Sequence, residues 1–202
     1  MPDIRTVWSF GVSKECRMER WIRKHNKKAR IHTWDPTPIS QQTIDKENRS
    51  TYKWPIRHTN KAYDPHKKAA TFYCIDPSLR CYSLENFHPE KLVHSFTVEC
   101  TSLAKIKDTL GENVDLIKFD IEGRWYELCN EILDLKLPVK QVIGEFEMYM
   151  GDTDNEFNKL QSVIDRFEDN GYKTYCNRLL AEKTINSFMS DNPVVELAFL
   201  KI

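Results

Sequence analysis

The order of apolar segments along the chain is the feature that most constrains its fold. Short apolar runs alternate with longer segments in which apolar residues recur at helical spacing. Strands that alternate with helices form βαβ units, and such units build a mostly parallel sheet. The sequence therefore predicts an α/β fold. The predicted strands lie at residues 6–12, 30–34, 114–121, 141–146, 172–176 and 194–202.

Amphipathic helices are predicted between most of these strands. One covers roughly residues 15–26, and another starts near Thr101 or Ser102 and stops at Gly111. No clear helix separates the last two strands, which predicts an antiparallel hairpin at one edge of the sheet. Residues 39–70 are polar and hard to read. Weaker strands are predicted at residues 54–60, 69–75 and 96–99.

Length and composition bound the class of protein. The 202 residues suit a single domain, residues 1–202, and the 30 basic and 30 acidic residues cancel. Net charge therefore gives no reason to expect nucleic acid or a membrane as the main partner. Residues 1–70 hold 16 Lys and Arg against 7 Asp and Glu, which we interpret as a solvated surface. No apolar window of about 18 residues is present, so no membrane span is expected.

Cysteine usage and the N-terminus bear on the compartment. The six cysteines form no CxxC pair, which argues against a zinc site of the usual spacing. Several lie in apolar segments, as free thiols do in a reducing compartment, and a cytoplasmic location is predicted. The chain opens almost directly on a strand, which is compatible with a missing upstream segment and, in that case, with a secretory route.

The stretch VDLIKFDIEG, residues 114–123, combines a predicted core strand with several ionisable groups. It carries Asp115, Lys118, Asp120 and Glu122. Burying an unpaired charge costs several kcal/mol or shifts its pKa. Open parallel sheets bind ligands outside the carboxyl ends of their strands. We therefore expect the strand to be core and its polar tip to line a cleft.

Three other predicted strands also end in polar or flexible residues. Gly11 stands just ahead of a helix, where a glycine lets a ligand approach the backbone. Asp35 ends the second strand, where a carboxylate can accept hydrogen bonds from the hydroxyls of a ribose. Glu145 ends the strand at residues 141–146. We expect Asp35 and Asp120, distant in sequence, to converge on one crevice along a single rim of the sheet.

Each of these signals also has a purely structural explanation. Gly11 suits an ordinary turn, and Asp35 before a proline is a common way to start one. Lys118 and Asp120 lie two apart on one face of a strand and can neutralise each other. Glu145 can be a helix cap or an ion-pair residue. The histidines are not clustered, and Trp34 and Trp54 are more readily explained by core packing than by stacking on an adenine.

The order of motifs along the chain resembles that of a known family. VWSFGV is followed by HTWDPTP, TSLAKIKDTLG, VDLIKFDIEG, VKQVIGEFE and NGYKTY. This order resembles the FkbM-like methyltransferases, including the methyltransferase-like 24 branch. These are class I enzymes that use S-adenosylmethionine and have a Rossmann-like, seven-stranded, mostly parallel sheet with an antiparallel C-terminal strand and helices on both faces. The resemblance covers nearly the whole chain, but residues 39–95 match poorly.

The resemblance implies roles for particular residues. Asp35 would hold the ribose hydroxyls, and residues 61–64 would lie near the adenine. Asp120 would lie close to the sulfonium, with Glu145 closing the pocket. The remaining implied roles are a loop under the methionine part of the cofactor (Phe10, Gly11, Val12), a cofactor wall (Pro36, Thr37), the adenine side of the pocket (Asp64) and the border of the acceptor (Lys118, Glu122).

The sequence departs from the family pattern at four positions. Ser13 stands where the first loop usually has a second glycine. Arg124 and Trp125 replace a small residue and an acid after DIEG, and Glu147 replaces a histidine. These changes leave the fold possible but bear on cofactor affinity and turnover. They motivate an alternative, a non-catalytic binding module that keeps the methyltransferase fold.

The resemblance implies transfer of a methyl group to a hydroxyl of a small molecule, sugar or lipid. Asp120 or Glu122 is the candidate base. No metal is expected, because these two carboxylates lack an evident third oxygen ligand. A nicotinamide oxidoreductase is disfavoured because the first loop lacks the GxGxxG glycines. A nucleic-acid methyltransferase is disfavoured because no NPPY-like tetrapeptide follows residues 114–121.

Overall fold

The computed structural model describes residues 3–12, 14–49, 55–74, 82–84, 94–148, 153–176 and 194–202. The strands are β1 Thr6–Phe10, β2 Arg30–Trp34, β3 Arg57–Thr59, β4 Ala62–Tyr63, β5 Ala69–Cys74, β6 Tyr82–Ser83, β7 His94–Thr101, β8 Leu116–Phe119, β9 Gln141–Glu147, β10 Tyr172–Cys176 and β11 Val194–Lys201. The helices are α1 Arg17–His25, α2 Pro38–Asn48, α3 Leu103–Leu110, α4 Trp125–Asp134 and α5 Thr153–Asp169.

Seven strands form the main sheet, in the order β10-β11-β9-β8-β1-β2-β3. The five strands from β9 to β3 pair in parallel with one another. β11 lies antiparallel between β9 and β10. The predicted mostly parallel sheet with an antiparallel C-terminal strand is confirmed, as is the pairing of the last two strands.

Two apolar layers cover the two faces of this sheet, because residues along a strand alternate between faces. On one face, Ile22 of α1 and Ile44 of α2 pack with Ile31 and Leu116 of the sheet. On the other face, a larger cluster joins α3, α4 and α5 to the sheet. Its members include Ile106, Leu128, Phe167, Trp8, Ile117 and Phe119. Helices on both faces are thereby confirmed.

Four short strands form a second sheet, in the order β4-β7-β5-β6. β5 pairs antiparallel with both β6 and β7, and β4 pairs in parallel with the end of β7. Its own small core contains Phe72, Leu84 and Val98. The weaker strands predicted at 69–75 and 96–99 belong to this separate sheet, which the sequence had not indicated. Residue 75 lies outside the described residues.

Residues 39–70 also contain a helix that the sequence analysis did not identify. α2 begins at Pro38, and proline suits the first helical position because its missing N–H has no partner there. The apolar residues of α2 form only a weak stripe, so their spacing gave no signal. The strand predicted at 54–60 is shorter, Arg57–Thr59, and Trp54 lies outside the described residues.

The structure also bears on the predictions for the cysteines and for membrane-spanning helices. Cys16, Cys74, Cys100 and Cys129 are buried thiols outside any disulfide. Among the helices of the described ranges, none is both long enough and apolar enough to cross a membrane.

Candidate functional site

A cleft of about 230 Å³ opens at the carboxyl ends of β1, β2 and β8. β1 lies between β2 and β8, and the chain leaves β1 toward β2 before returning to β8 on the other side. This reversal of strand order is the place where open parallel sheets bind ligands. The second sheet forms the opposite wall. The lining residues are Gly11, Trp34, Asp35, Pro36, Thr37, Ala62, Tyr63, Phe72, Tyr82, Leu84, Asp120, Ile121 and Glu122.

Gly11 forms the floor of the cleft, in a conformation that only glycine adopts readily. Its φ is +76°, and a Cβ placed there would lie 1.8 Å from the backbone oxygen of Asp120. Its N–H donates to the carbonyl of Trp34 at 3.0 Å, while the N–H of Asp120 donates to the carbonyl of Phe10 at 3.0 Å. These bonds hold the ends of β1, β2 and β8 together. Because Gly11 has no side chain, the strand ends can approach one another this closely and the floor of the cleft stays open.

Asp35 follows β2 and is held by the backbone around it. One oxygen accepts from the N–H of Val12 at 2.8 Å. The other accepts from the N–H and the hydroxyl of Thr37, at 2.8 and 2.5 Å. The carboxylate therefore fixes the loop after β1 against the start of α2. It is a rigid hydrogen-bond acceptor at the edge of the cleft. It also stabilises the turn before α2, which is the structural role that the sequence suggested for it.

The tip of β8 carries Lys118 and Asp120 on one face. The ammonium of Lys118 donates to the carbonyl of Gly11 and lies 3.9 Å from a carboxylate oxygen of Asp120. Glu122 has a φ of +49°, and its carbonyl accepts from the hydroxyl of Ser83 at 2.8 Å. Lys118 thus contacts the backbone that forms the floor of the cleft, and a hydrogen bond joins the turn at Glu122 to the second sheet.

Two further carboxylates lie behind this rim, on β9. Oxygens of Glu145, Glu147 and Asp120 all lie within 4.8 Å of one another. Burial, followed by the nearby charge of Asp120, raises the pKa of Glu145 to about 7. Burial also raises the pKa of Glu147 well above its usual value, with the charges of Glu122 and Asp120 adding to the effect. Glu147 is thus part of a buried acidic cluster.

The departures at Arg124 and Trp125 have structural explanations. Arg124 lies 3.8 Å from the carboxylate of Asp64 and 3.2 Å from that of Glu127, so it ties the start of α4 to the turn after β4. Trp125 is buried, and its indole N–H donates to the carbonyl of Glu147 at 3.1 Å. Both residues stabilise the wall around the cleft. Ser13, the remaining departure, lies outside the described residues.

The structure brings six of the predicted site residues to one cleft: Gly11, Asp35, Pro36, Thr37, Asp120 and Glu122. Asp35 and Asp120 thus share a single crevice on one rim of the sheet. Ala62 and Tyr63, from the segment expected near the adenine, also line it.

Five other predicted site residues lie outside the lining of the cleft. Phe10 and Val12 point into the two core layers. Asp64 is 2% exposed and accepts from the N–H groups of His66 and Lys67. The last two, Lys118 and Glu145, lie below and behind the rim.

Some lining residues escaped the sequence analysis. Phe72, Tyr82 and Leu84 reach the cleft from the second sheet, and Ile121 from the turn after β8. Whether these residues reach the cleft depends on how the second sheet packs against the main sheet, and no local sequence pattern indicates that. Trp34 is 6% exposed and stacks on Phe10 with a centroid distance of 5.0 Å, as the packing explanation expects.

The cleft has an acidic lining. Asp35, Asp120 and Glu122 contribute carboxylates, and no lysine or arginine is among the described lining residues. Such a lining attracts cations and repels phosphates. The other lining side chains are largely aromatic or aliphatic. The arrangement therefore suits a positively charged ligand with an extended organic body.

Comparisons with known proteins place this geometry in a fold class. Neither a protein-family model nor a curated protein matches the sequence. Solved structures do match. The fibrillarin pre-rRNA processing protein of Methanococcus jannaschii is 12% identical, with a TM-score of 0.51 over 100% of this chain and 69% of that chain. The chain of a fibrillarin/Nop5p complex is 10% identical, with a TM-score of 0.55 over 100% and 75% of the two chains.

A putative rRNA methylase of Clostridium thermocellum is 12% identical, with a TM-score of 0.50 over 98% of this chain and 87% of that chain. At these identities the likeness shows the fold. The strand order and these matches together establish the Rossmann-like class I methyltransferase fold for this chain. The predicted fold class is confirmed. Membership of the FkbM-like family stays a prediction.

Proposed function

We propose that the protein is an S-adenosylmethionine-dependent methyltransferase that methylates a hydroxyl group of a small molecule, sugar or lipid. The observation that carries the proposal is the shared cleft of Asp35 and Asp120, with Gly11 between them as its floor. These two acids, at the ends of the strands on either side of β1, match the two polar centres of the cofactor, a ribose diol and a sulfonium. The class I methyltransferase fold supports the same function.

The adenosine half of the cofactor would lie on the side of β2. Asp35 accepts from the ribose hydroxyls, since its carboxylate is already oriented by Val12 and Thr37. Gly11 lets the chain of the cofactor pass close to the backbone. Ala62 and Tyr63 bound the adenine side. In this arrangement most of the protein's work is positioning.

The methyl transfer itself needs little help beyond orientation and a proton acceptor. The substrate oxygen attacks the methyl carbon in line, a C–O bond forms, and the C–S bond breaks to release S-adenosylhomocysteine. The hydroxyl proton passes to Asp120 or Glu122, which both border the cleft. Their negative charge also attracts the sulfonium. We therefore expect methyl transfer to depend on Asp120 and Glu122, just after β8.

The lining of the cleft favours a small acceptor over a nucleic acid. Phosphate recognition relies on lysine and arginine, whereas three carboxylates line this cleft. The aromatic and aliphatic wall from Phe72, Tyr82 and Leu84 suits an organic substrate with a hydroxyl group. The solved structures that match include a pre-rRNA processing protein, so RNA is the substrate class to test against.

Calorimetric titration with S-adenosylmethionine tests the proposal. The wild type is expected to bind, and Asp35→Asn to bind about tenfold more weakly or worse, because an amide NH2 replaces one of the two acceptor oxygens and the negative charge is lost, which leaves a ligand hydroxyl unpaired. Asp45→Asn is the matched control, because Asp45 is bonded to the Gln41 amide on α2, away from the cleft. A folded wild type that shows no binding at millimolar cofactor supports the non-catalytic alternative instead.

A further inference from the structure

Three carboxylates meet at the carboxyl end of β8 and β9. Asp120 follows β8, and Glu145 and Glu147 lie two apart on the same face of β9. One oxygen from each lies within 4.8 Å of the other two. Two ligands on opposite sides of a single ion are about 4.2 Å apart around Mg²⁺ and about 4.8 Å apart around Ca²⁺. The three oxygens are close enough together to be drawn into the coordination shell of one ion.

Glu147 supplies the independent observation that the cluster needs a ligand. Its side chain is 1% exposed, and its Oε1 atom has no hydrogen-bond partner among the described residues. Its Oε2 atom accepts from the N–H of Gly123 over 3.3 Å, which is a long bond. A buried carboxylate oxygen without a hydrogen-bond partner destabilises the folded state. The unpaired Oε1 atom is on a side chain of the cluster, beside the carboxylates of Asp120 and Glu145, where a bound ion would satisfy it.

The positive charge near the cluster is small. Lys118 approaches Asp120 at 3.9 Å, and its ammonium also donates to the backbone carbonyl of Gly11. Glu122 and Glu196 add further negative charge close to Glu145. The carboxylates must therefore take up protons or a cation. One cation can be shared by all three carboxylates, whereas a proton neutralises a single carboxyl group, whose O–H can donate to only one neighbouring oxygen.

We propose that Asp120, Glu145 and Glu147 form a binding site for one divalent cation, Mg²⁺ or Mn²⁺. All three groups offer hard oxygen ligands, which Mg²⁺ and Mn²⁺ prefer. Zn²⁺ sites, in contrast, are typically rich in cysteine and histidine. The side chain of Asp120 is 42% exposed, so the site opens at the cleft and leaves room for water or a substrate oxygen. The further ligands that were not evident in the sequence are the two glutamates of β9.

The consequence for catalysis depends on the proposed methyltransferase function. Because Asp120 belongs both to the cluster and to the cleft lining, the ion would lie beside the reacting groups. A hydroxyl oxygen that coordinates the ion has a lowered pKa, and its proton then passes to Glu122. The ion would thereby orient and activate the acceptor. Glu147, the departure from the family pattern, becomes a ligand in this arrangement.

Titration with Mn²⁺, followed by the loss of the free-ion electron paramagnetic resonance signal, tests the site without any cofactor. We expect the wild type to bind one ion, and Glu147→Gln and Glu145→Gln to bind it about tenfold more weakly or worse. Glu99→Gln is the matched control, since Glu99 is exposed on β7 and paired with Lys61 at 2.7 Å. Thermal denaturation in EDTA checks that each variant is folded.

Several outcomes would overturn the ion site. They are a folded wild type that binds no Mn²⁺ at millimolar concentration, a wild type that binds Ca²⁺ but neither Mn²⁺ nor Mg²⁺, and both glutamine variants binding like the wild type. The failure of the ion site is distinct from the failure of the enzyme. Cofactor binding without Mn²⁺ binding contradicts only the ion site, while Mn²⁺ binding without cofactor binding contradicts only the methyltransferase.

Discussion

At the scale of single residues, Gly11 is the position where the cleft tolerates least change. A Cβ there would lie 1.8 Å from the backbone oxygen of Asp120, and the φ of +76° is itself unfavourable for other residues. We expect Gly11→Ala to lower the free energy of unfolding by about 2–4 kcal/mol, because the backbone must move to relieve the clash. Urea denaturation measures this loss.

Gly111 offers the matched control for Gly11. It ends α3 with a φ of +60°, and a Cβ there would have no atom within 4 Å. Gly111→Ala is therefore expected to cost only about 1 kcal/mol, the penalty for a left-handed residue with a side chain. Equal losses for the two alanine variants would contradict the close approach of Gly11 to Asp120.

The buried acidic cluster predicts an unusual pH dependence of stability. The pKa of Glu145 is raised to about 7 in the folded protein, chiefly by burial. The folded state therefore holds this proton more tightly than the unfolded state. In EDTA, the contribution of Glu145 to stability is therefore largest at acidic pH and is lost as the pH rises from the usual glutamate range through about 7.

Glu145→Gln removes the ionisable group from that window. We expect the loss of stability between pH 5 and pH 8 to shrink by about 1 kcal/mol, a modest value because the side chain is partly exposed and screened. Glu99→Gln, on the exposed face of β7, should leave the slope unchanged. Urea denaturation at several pH values decides the matter, and parallel curves for wild type and Glu145→Gln would refute the assignment.

Individual residues also show how far sequence reasoning reaches. Asp35 and Asp120 were predictable, because a carboxylate just beyond a strand in a parallel sheet lies at the ligand-binding edge. The orphaned oxygen of Glu147 was not, because its burial depends on β9 lying between β8 and β11 within the sheet. Local pattern indicates the position of a residue along a strand but gives no measure of its final environment.

At the scale of elements, Glu131 of α4 joins three parts of the structure. Its carboxylate accepts from the N–H groups of Leu103 and Ala104 at the start of α3, both at 3.0 Å. It also accepts from the hydroxyl of Tyr63 at 2.8 Å. A charged acceptor at a helix N-terminus is favourable, and here it also holds a residue that lines the cleft.

We expect Glu131→Ala to destabilise the protein by about 2–3 kcal/mol, because three donors lose their acceptor. Asp134→Ala on the same helix is the control. That carboxylate is 65% exposed and pairs only at the surface with Arg166, so its loss is expected to cost less than about 1 kcal/mol. Chemical denaturation of both variants would contradict this role for Glu131 if the two losses were similar.

The turn after β4 distinguishes a structural acid from a ligand-binding acid. Asp64 was predicted to lie near the adenine, but its carboxylate faces the N–H groups of His66 and Lys67. Asp64→Asn keeps an oxygen acceptor for these donors. We expect the affinity for S-adenosylmethionine to stay within about twofold of the wild type, in contrast to Asp35→Asn. A loss in Asp64→Asn as large as that in Asp35→Asn would restore the predicted role.

Elements differ in how clearly the sequence announces them. α3 was predicted at both ends, since the Ser102 hydroxyl accepts from the N–H of Lys105 and Gly111 takes the left-handed conformation. α2 was missed because its apolar stripe is weak. The second sheet was missed because its strands pair with one another across the long segment between β3 and α3, and pairing partners distant in sequence leave no local pattern.

At the scale of the whole molecule, topology assembles the candidate site. Placing β1 between β2 and β8 brings residues 11, 35 and 120 to one rim, although more than 100 positions separate the first from the last. The parallel orientation that puts the strands' carboxyl ends on one rim, but not the order of the strands, followed from the alternation of strands and helices. The second sheet, which closes the cleft from the other side, did not, and with it the shape of the acceptor side remained beyond sequence reasoning.

The crystal structure of the protein with S-adenosylhomocysteine is the most direct test of the account. It should show the ribose hydroxyls donating to Asp35, the sulfur beside Asp120 and the chain of the ligand crossing Gly11. The ligand bound away from these three residues, or a folded protein that takes up none at millimolar concentration, would contradict the claim that they form one cofactor site.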